Sequence, residues 1–457
     1  MRVETLFKRI LPLPFSETSE KRHLPRHISR ILFHSKKGDA CRTCTYPLHL
    51  PVKDEATLYL HWPYCKQICS FCNFNKYISK NVDHNRMRKC LVTETETLLK
   101  LSGVKKISSV YFGGGTPSLA EPSTISSVLE AVSTICYMPS EAEVTLEANP
   151  TSAETEKLSH FHAAGINRLS LGIQAFNTRD LLLLGRDNTI RDSLRAIQAA
   201  RSIFPGKVSI DLMFGRPQQT LEDWYKELLK ALSVCDDHIS LYQLTLERGT
   251  PLYKNVISGK QSLPDSDLVA EMYQLAVETL TANGFHRYEV ANFAKSDAES
   301  RHNLSYWTGS QYIGVGPGAH GRFIPSGNGD GLRQARVQTL EPNQWMKEVE
   351  TRGHGTRKQV TQTKFEILEE ILMMSLRTAD GLSSENWKIF SPFGLSLYDA
   401  FKDNQDVKDL IQHGLLSLTK RGVKATPKGL SVVDSIISKL LLHLDGINRT
   451  VLESETY

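Results

Sequence analysis

Between residues 57 and 244, short apolar runs rich in β-branched and aromatic residues alternate with longer stretches whose apolar positions recur at helical spacing. The short runs are Thr57 to Trp62, Ser109 to Phe112, Glu143 to Leu146, Arg168 to Ile173, Lys207 to Met213 and His238 to Leu244. The longer ones are Asn85 to Leu101, Ser123 to Ser133, Ala153 to Ala164, Thr189 to Ile203 and Thr220 to Val234, each long enough for a crossover helix. Strand and helix units repeated in this way predict an α/β fold on a parallel sheet. Six of them suit a partial TIM-type (β/α)6 barrel, although an open doubly wound sheet has the same alternation.

Past Gly249 the alternation fails. A helical pattern runs from Asp265 to Asn283, and a segment rich in aromatics and glycine follows from Phe285 to Phe323. Residues 363–445 read as helix, loop, helix, short strand pair and helix, with Gly414, Gly422 and Gly429 at the turns. The predicted organisation is therefore a leader over 1–50, a barrel over 55–285, a flanking segment over 286–360 and a smaller, mostly α, winged-helix-like domain over 363–445. A winged helix is often used on DNA, but no basic recognition face accompanies this one, which favours packing or protein contact.

Composition narrows the field without naming a function. The chain has 457 residues, room for about two or three domains, with 40% hydrophobic and 23% charged residues, which is ordinary globular usage. A formal charge of +5 is small for this length and gives no footprint for nucleic acid. The apolar stretch from Leu440 to Leu444 is far too short for a bilayer, so no membrane span is expected. Residues 1–38 hold nine Lys or Arg against three Asp or Glu, which predicts a mitochondrial transit peptide. Glu4, Glu17 and Glu20 count against that reading, and a basic tail is the alternative.

Three of the eight cysteines, Cys65, Cys69 and Cys72, fall just after the first predicted strand, in a strand-to-helix loop. Sites are built from loops at that end of a parallel barrel. Gaps of three and two residues let three thiolates converge on one iron–sulfur cubane while leaving its fourth iron uncovered. Zinc would want a fourth protein ligand, which Cys41 or Cys44 could supply only by folding the leader back. Cys90, Cys136 and Cys235 lie in or beside helical patterns and read as ordinary thiols. Further polar groups recur along the later strands, Glu147 and Gln174 at the ends of the third and fourth and Asp211 within the fifth, together with the run Phe112-Gly-Gly114-Gly115-Thr116-Pro117 after the second. The glycines allow backbone N–H groups to approach a ligand, and a tight turn would explain them equally well.

The CxxxCxxC spacing, with Phe71 before its last cysteine, resembles the radical S-adenosylmethionine proteins. That resemblance implies their barrel and a [4Fe-4S] cluster on Cys65, Cys69 and Cys72, with S-adenosylmethionine on the open iron and an external electron donor. It also implies S-adenosylmethionine contacts at Tyr59, Gly114, Gly115, Thr116, Glu147, Gln174, Arg186 and Asp211. Over roughly residues 55–445 the chain is similar to the oxygen-independent coproporphyrinogen III oxidase group. Those oxidases carry a further cysteine two residues past the third, where this chain has Phe74. The chain looks instead like the HemW heme-chaperone branch, and His302-Asn-Leu-Ser-Tyr306-Trp307 matches that branch's HNxxYW motif.

Imidazole is the common axial ligand of heme iron, and Tyr and Trp offer flat apolar walls with polar tips, so His302, Tyr306 and Trp307 are candidate heme contacts. A hydrogen-bonded histidine that anchors a loop is the alternative for His302, and His320 is equally ambiguous. The resulting expectation is a mitochondrial chaperone that passes heme to hemoproteins, respiratory ones among them. Its rivals are a radical enzyme acting on a porphyrin and a cluster-bearing structural protein without heme.

Overall fold

The computed structural model describes residues 54–327, 331–391 and 394–455. The predicted leader, with Cys41 and Cys44, lies outside the described residues. All six predicted strands are present: β1 Glu55–Trp62, β2 Lys106–Gly114, β3 Glu143–Ala148, β4 Arg168–Gln174, β5 Val208–Phe214 and β6 His238–Gln243. They lie side by side in chain order and pair in parallel. The helices between them start where the sequence supplies caps. Asp83 caps His84–Ser102, Thr189 and Asp192 form a capping box on Ile190–Ile203, and Thr220 caps Leu221–Val234. Gly103, at a φ of 65°, closes the first of these.

Two features depart from the expectation. The helix expected over Ala153 to Ala164 is split into Ser152–Thr155 and Leu158–Ala163. The break follows Glu154, whose buried carboxylate turns inward to accept from Ser118 and from the Asn149 N–H. The sheet also continues beyond six strands. The flanking segment adds β7 His286–Arg287, β8 Asn292–Ala294, β9 Gln311–Val315, β10 His320–Phe323, β11 Gln334–Gln338 and β12 Thr356–Thr361. The order is β12-β11-β10-β9-β1-β2-β3-β4-β5-β6-β8-β7, so β9 is a seventh parallel strand, beside β1. No pairing among the described residues joins β7 to β12, and the barrel is an open one.

Strand side chains alternate between two faces. Leu58, Leu60 and Trp62 of β1, Val110 and Phe112 of β2, and Ile210 and Leu212 of β5 belong to the large apolar core that includes residues of the crossover helices. The opposite face carries Thr57, Tyr59 and His61, then Ser109 and Tyr111, then Glu143, Thr145 and Glu147, then Ser170, then Ser209 and Asp211. Parallel strands buried on both faces normally read as continuous apolar runs. Here the concave side is polar, so the fold contains a hydrophilic lumen.

A second core gathers Leu368, Ile371, Leu372, Trp387, Phe401, Leu440 and Leu444 around a three-stranded sheet of Leu382–Ser383, Gly422–Ala425 and Leu416–Thr419. Long helices at Lys364–Ser375 and Val433–Glu455 complete this winged-helix-like part. Ser375 Oγ donates to the Trp307 carbonyl at 2.9 Å and Asn386 Nδ2 to that of Thr308 at 2.8 Å, tying it to the flanking segment.

Candidate functional site

The C-terminal ends of β1 to β6 form one rim of the lumen. β1 runs through Pro63 into Tyr64–Cys65, which pairs with Tyr77–Ile78. Buried Cys65 ends the first of these short strands, and the intervening loop presents Cys69 and Cys72, both half-buried. Its course is fixed by backbone bonds: Ser70 N–H donates to the Leu184 carbonyl at 3.0 Å, and the Ser70 carbonyl accepts from Leu252 N–H at 2.9 Å. Phe71 packs against the small apolar cluster of Leu184, Met213, Leu244 and Leu252. Farther along, His61 Nε2 and the Asn75 carbonyl are 2.8 Å apart, and Asn75 Nδ2 donates to the carbonyls of Pro317 and Leu340, both at 2.9 Å.

The glycine run lies tightly against β1. The N–H of Gly115 donates to the Trp62 carbonyl at 2.7 Å and that of Thr116 to the Tyr64 carbonyl at 3.0 Å. A Cβ on Gly115 would stand 2.9 Å from the Pro63 carbonyl oxygen, and Gly114 has a φ of 110°. Close approach of backbone to backbone is thus the local reason for glycine. The Gly114 N–H donates to Glu147 at 3.2 Å, and Tyr111 Oη donates to the same carboxylate at 2.9 Å.

Thr116 Oγ1 donates to Cys65 Sγ at 3.4 Å and accepts from Asn149 Nδ2 at 3.3 Å. Asn149 Oδ1 accepts from Arg186 Nη2 at 2.7 Å, and Arg186 Nη1 lies 3.6 Å from Cys69 Sγ. Arg186 Nε is buried without a hydrogen-bond partner. Tyr59, whose hydroxyl lies 3.2 Å from His61 Nδ1, and Tyr111 stack at 6.2 Å between ring centres. Asp211 accepts from Ser170 Oγ at 3.0 Å.

Gln174 ends β4 at a φ of 67°, a conformation costing a residue with a side chain about 1–3 kcal/mol. Its carbonyl accepts from Arg216 Nη1 at 3.1 Å. Arg216 is fully buried and ion-paired to Asp180 at 3.0 Å and to Glu227. Tyr59, Glu147, Gln174, Arg186 and Asp211 therefore lie on or behind the rim that carries the thiols. Asn149, His61 and Tyr111 belong to it too, and sequence patterning did not single them out. The available signal was Asn149-Pro150 immediately after β3, whose penultimate residue is Glu147.

The rim's chemistry fits an iron–sulfur cluster. Three soft sulfur donors stand on one short segment, with an N–H and an O–H group directed at two of them, contacts that a cluster-bound thiolate would strengthen. Burial pushes the Cys65 thiol up to about 11, the cost that a bound cation would have to offset. No three His, Cys, Asp or Glu side chains among the described residues converge as ligands of one ion would. A cubane asks for something else, since each thiolate takes its own iron.

His302 lies at the other end of the lumen. It opens Arg301–Trp307, a short helix across the N-terminal ends of the strands, and is fully buried. Its Nδ1 is 2.8 Å from Ser109 Oγ and its Nε2 2.8 Å from Tyr306 Oη, while its ring stacks on Tyr111 at 4.9 Å. Burial holds its pKa down at about 3, so the ring is neutral. Glu143 accepts from the N–H groups of Arg301 at 3.1 Å and His302 at 3.0 Å and from Ser300 Oγ at 3.2 Å, with Arg168 3.5 Å away. In this conformation neither ring nitrogen of His302 is open to a ligand. Trp307 is buried, and Tyr306 is half-buried at a cleft shared with Tyr312, Arg333, Glu370 and Met374.

Residues 59–231 match the model of the radical SAM superfamily, and residues 362–432 that of the HemN C-terminal domain. The chain is 54% identical over 389 residues to the mouse protein named radical S-adenosyl methionine domain-containing protein 1, mitochondrial, covering 85% of this chain and 88% of the relative. It is 32% identical to the heme chaperone HemW of Bacillus subtilis, covering 84% and 98%. Among solved structures, coproporphyrinogen III oxidase (HemN) of Escherichia coli superimposes with a TM-score of 0.69 at 22% identity, over 86% of this chain and 90% of that one.

Proposed function

Because this chain belongs to the family of the mitochondrial radical S-adenosyl methionine domain-containing protein 1 and the bacterial heme chaperone HemW, we propose that it is a heme chaperone. It binds heme and, assisted by a [4Fe-4S] cluster on Cys65, Cys69 and Cys72 and by S-adenosylmethionine, delivers heme to hemoproteins, respiratory ones included. Its compartment is the mitochondrion, as in the name of the mouse relative. Among the described residues no helix is long and apolar enough to cross a membrane.

The observation that carries the choice of chaperone over oxidase is Phe74. Where the oxidases carry a further cysteine, this chain places an aromatic, half-buried, in a segment held through its neighbour Asn75 to the Gly314–Gly318 turn. An aromatic there offers no thiol to a substrate radical or to iron.

Bound at the rim, the cluster and S-adenosylmethionine supply a one-electron centre beside a reducible sulfonium, with electrons from an external donor. The chain's own residues hold that pair. Thr116 and Arg186 face the sulfurs, while Glu147, Tyr59, Gln174 and Asp211 set polar groups around the cofactor's amino acid, ribose and base. Heme is held by the HNxxYW segment, with half-buried Tyr306 as one wall and Trp307 as a second only once the segment opens to uncover it. His302 can reach iron only by leaving Ser109 and Tyr306, and its neutral ring then carries the needed lone pair. The test is incubation of the reduced, reconstituted protein with coproporphyrinogen III. No protoporphyrinogen should form, and its formation would transfer the protein to the oxidases.

A further inference from the structure

We propose that Asn149 is a positioning residue that aligns Thr116 and Arg186 on two different cluster cysteines and thereby raises the cluster's reduction potential. This rests on the reading that Cys65, Cys69 and Cys72 carry the cluster.

Asn149 is held from behind. Its N–H donates to Glu154 at 2.9 Å, and that buried carboxylate also accepts from Ser118 and from Thr151 at 3.1 Å. With the backbone fixed, both ends of the amide are used. Arg186 can only donate, so the amide oxygen must face it, at 2.7 Å, which leaves the amide NH2 for Thr116 at 3.3 Å. A hydroxyl that accepts from Asn149 keeps one proton of its own, and here that proton goes to Cys65 Sγ at 3.4 Å.

On the other side, Arg186 Nη2 also donates to the Gly172 carbonyl at 2.8 Å. Two acceptors on one nitrogen fix the plane of the guanidinium, and the rigid fork then brings Nη1 to 3.6 Å from Cys69 Sγ. One side chain thus closes a path from Cys65 through Thr116, Asn149 and Arg186 to Cys69. Hydrogen bonds to ligating sulfurs stabilise the more electron-rich, reduced cluster, and they are a recognised control on its potential. An amide is the group that this path requires: aspartate could still accept from Arg186 but could not donate to Thr116, and leucine could do neither.

The test is an EPR-monitored redox titration of the full-length, anaerobically reconstituted protein without substrate, with iron and sulfide content measured on each sample. Asn149→Leu and Thr116→Val should both shift the midpoint to more negative potential by more than repeat titrations differ, and Thr116→Ser should restore it. The double variant Asn149→Leu/Thr116→Val should shift no further than Asn149→Leu alone, because the Thr116 hydroxyl is aligned on Cys65 only through Asn149. If Asn149→Leu fails to load its cluster, the Thr116→Val and Thr116→Ser pair decides. An unchanged midpoint in fully loaded Thr116→Val overturns the proposal alone. A wild-type protein that takes up no cluster overturns the cluster reading, and the proposal with it.

Discussion

The two ends of the lumen are lined by the same strands and by the same kinds of side chain, yet they differ in how their polar groups are used. At the floor, Ser109, Glu143, Arg168 and His302 are buried and bonded to one another or to the backbone of residues 298–302, and buried His238 is bonded to Ser209 and Tyr288. At the rim, toward the C-terminal ends of the strands, Tyr59, Asn149, Gln174 and Arg186 stay half-buried, and one Arg186 nitrogen is unsatisfied. A saturated buried network rigidifies, and a half-open one invites a ligand. In this conformation the floor is therefore closed and the rim is open to a ligand, so heme iron can meet His302 only once its bonds to Ser109 and Tyr306 break.

Variants at the two ends should separate along that line. The largest effect is expected of Cys65→Ser, which should abolish the cluster in iron analysis and EPR while leaving far-UV circular dichroism unchanged. Next is Glu143→Gln, which strips Arg168 of its buried partner and weakens the hold on the helix at Arg301–Trp307. Urea unfolding should record a loss of about 3–5 kcal/mol, with the cluster still loading in the cold. A floor variant that kept full stability but lost its cluster would break the contrast.

His302→Asn is expected to cost about 1–3 kcal/mol through the hydrogen bonds lost at Ser109 and Tyr306. It also carries a pH signature. Folded His302 titrates at about 3, so below its unfolded value of about 6.5 the unfolded chain takes up a proton that the folded chain refuses. Stability should therefore be present above that pH and fall by about 1.4 kcal/mol per unit below it, until about pH 3. His238, also pushed down by burial, acts in the same direction. The asparagine variant should show a shallower but not flat acid slope in thermal melts at pH 6.5 to 4, and an identical slope would contradict the burial argument. The smallest effect is that of Tyr111→Phe, about 1 kcal/mol for its bond to Glu147, read in the same melts.

The six strands were legible because alternation with amphipathic helices is a strong local signal. The seventh parallel strand, Gln311–Val315, was not, because it is short, buried along its length and follows a long stretch that is not a simple crossover. Cysteine spacing marked the sulfur site at once. Asn149 escaped, since an Asn before Pro signals only a loop and its role depends on distances to residues far apart in the chain. For His302, the motif left axial ligand and loop anchor both open, and burial with two bonded nitrogens is information that only packing supplies.

A heme chaperone must release its heme intact to another protein. The most direct measurement is transfer from the heme-loaded, full-length protein to a defined apo-hemoprotein, followed in the Soret region with and without the reconstituted cluster. Transfer that is faster with the cluster is the predicted result. Absence of heme binding, or of any transfer in either state, would contradict it.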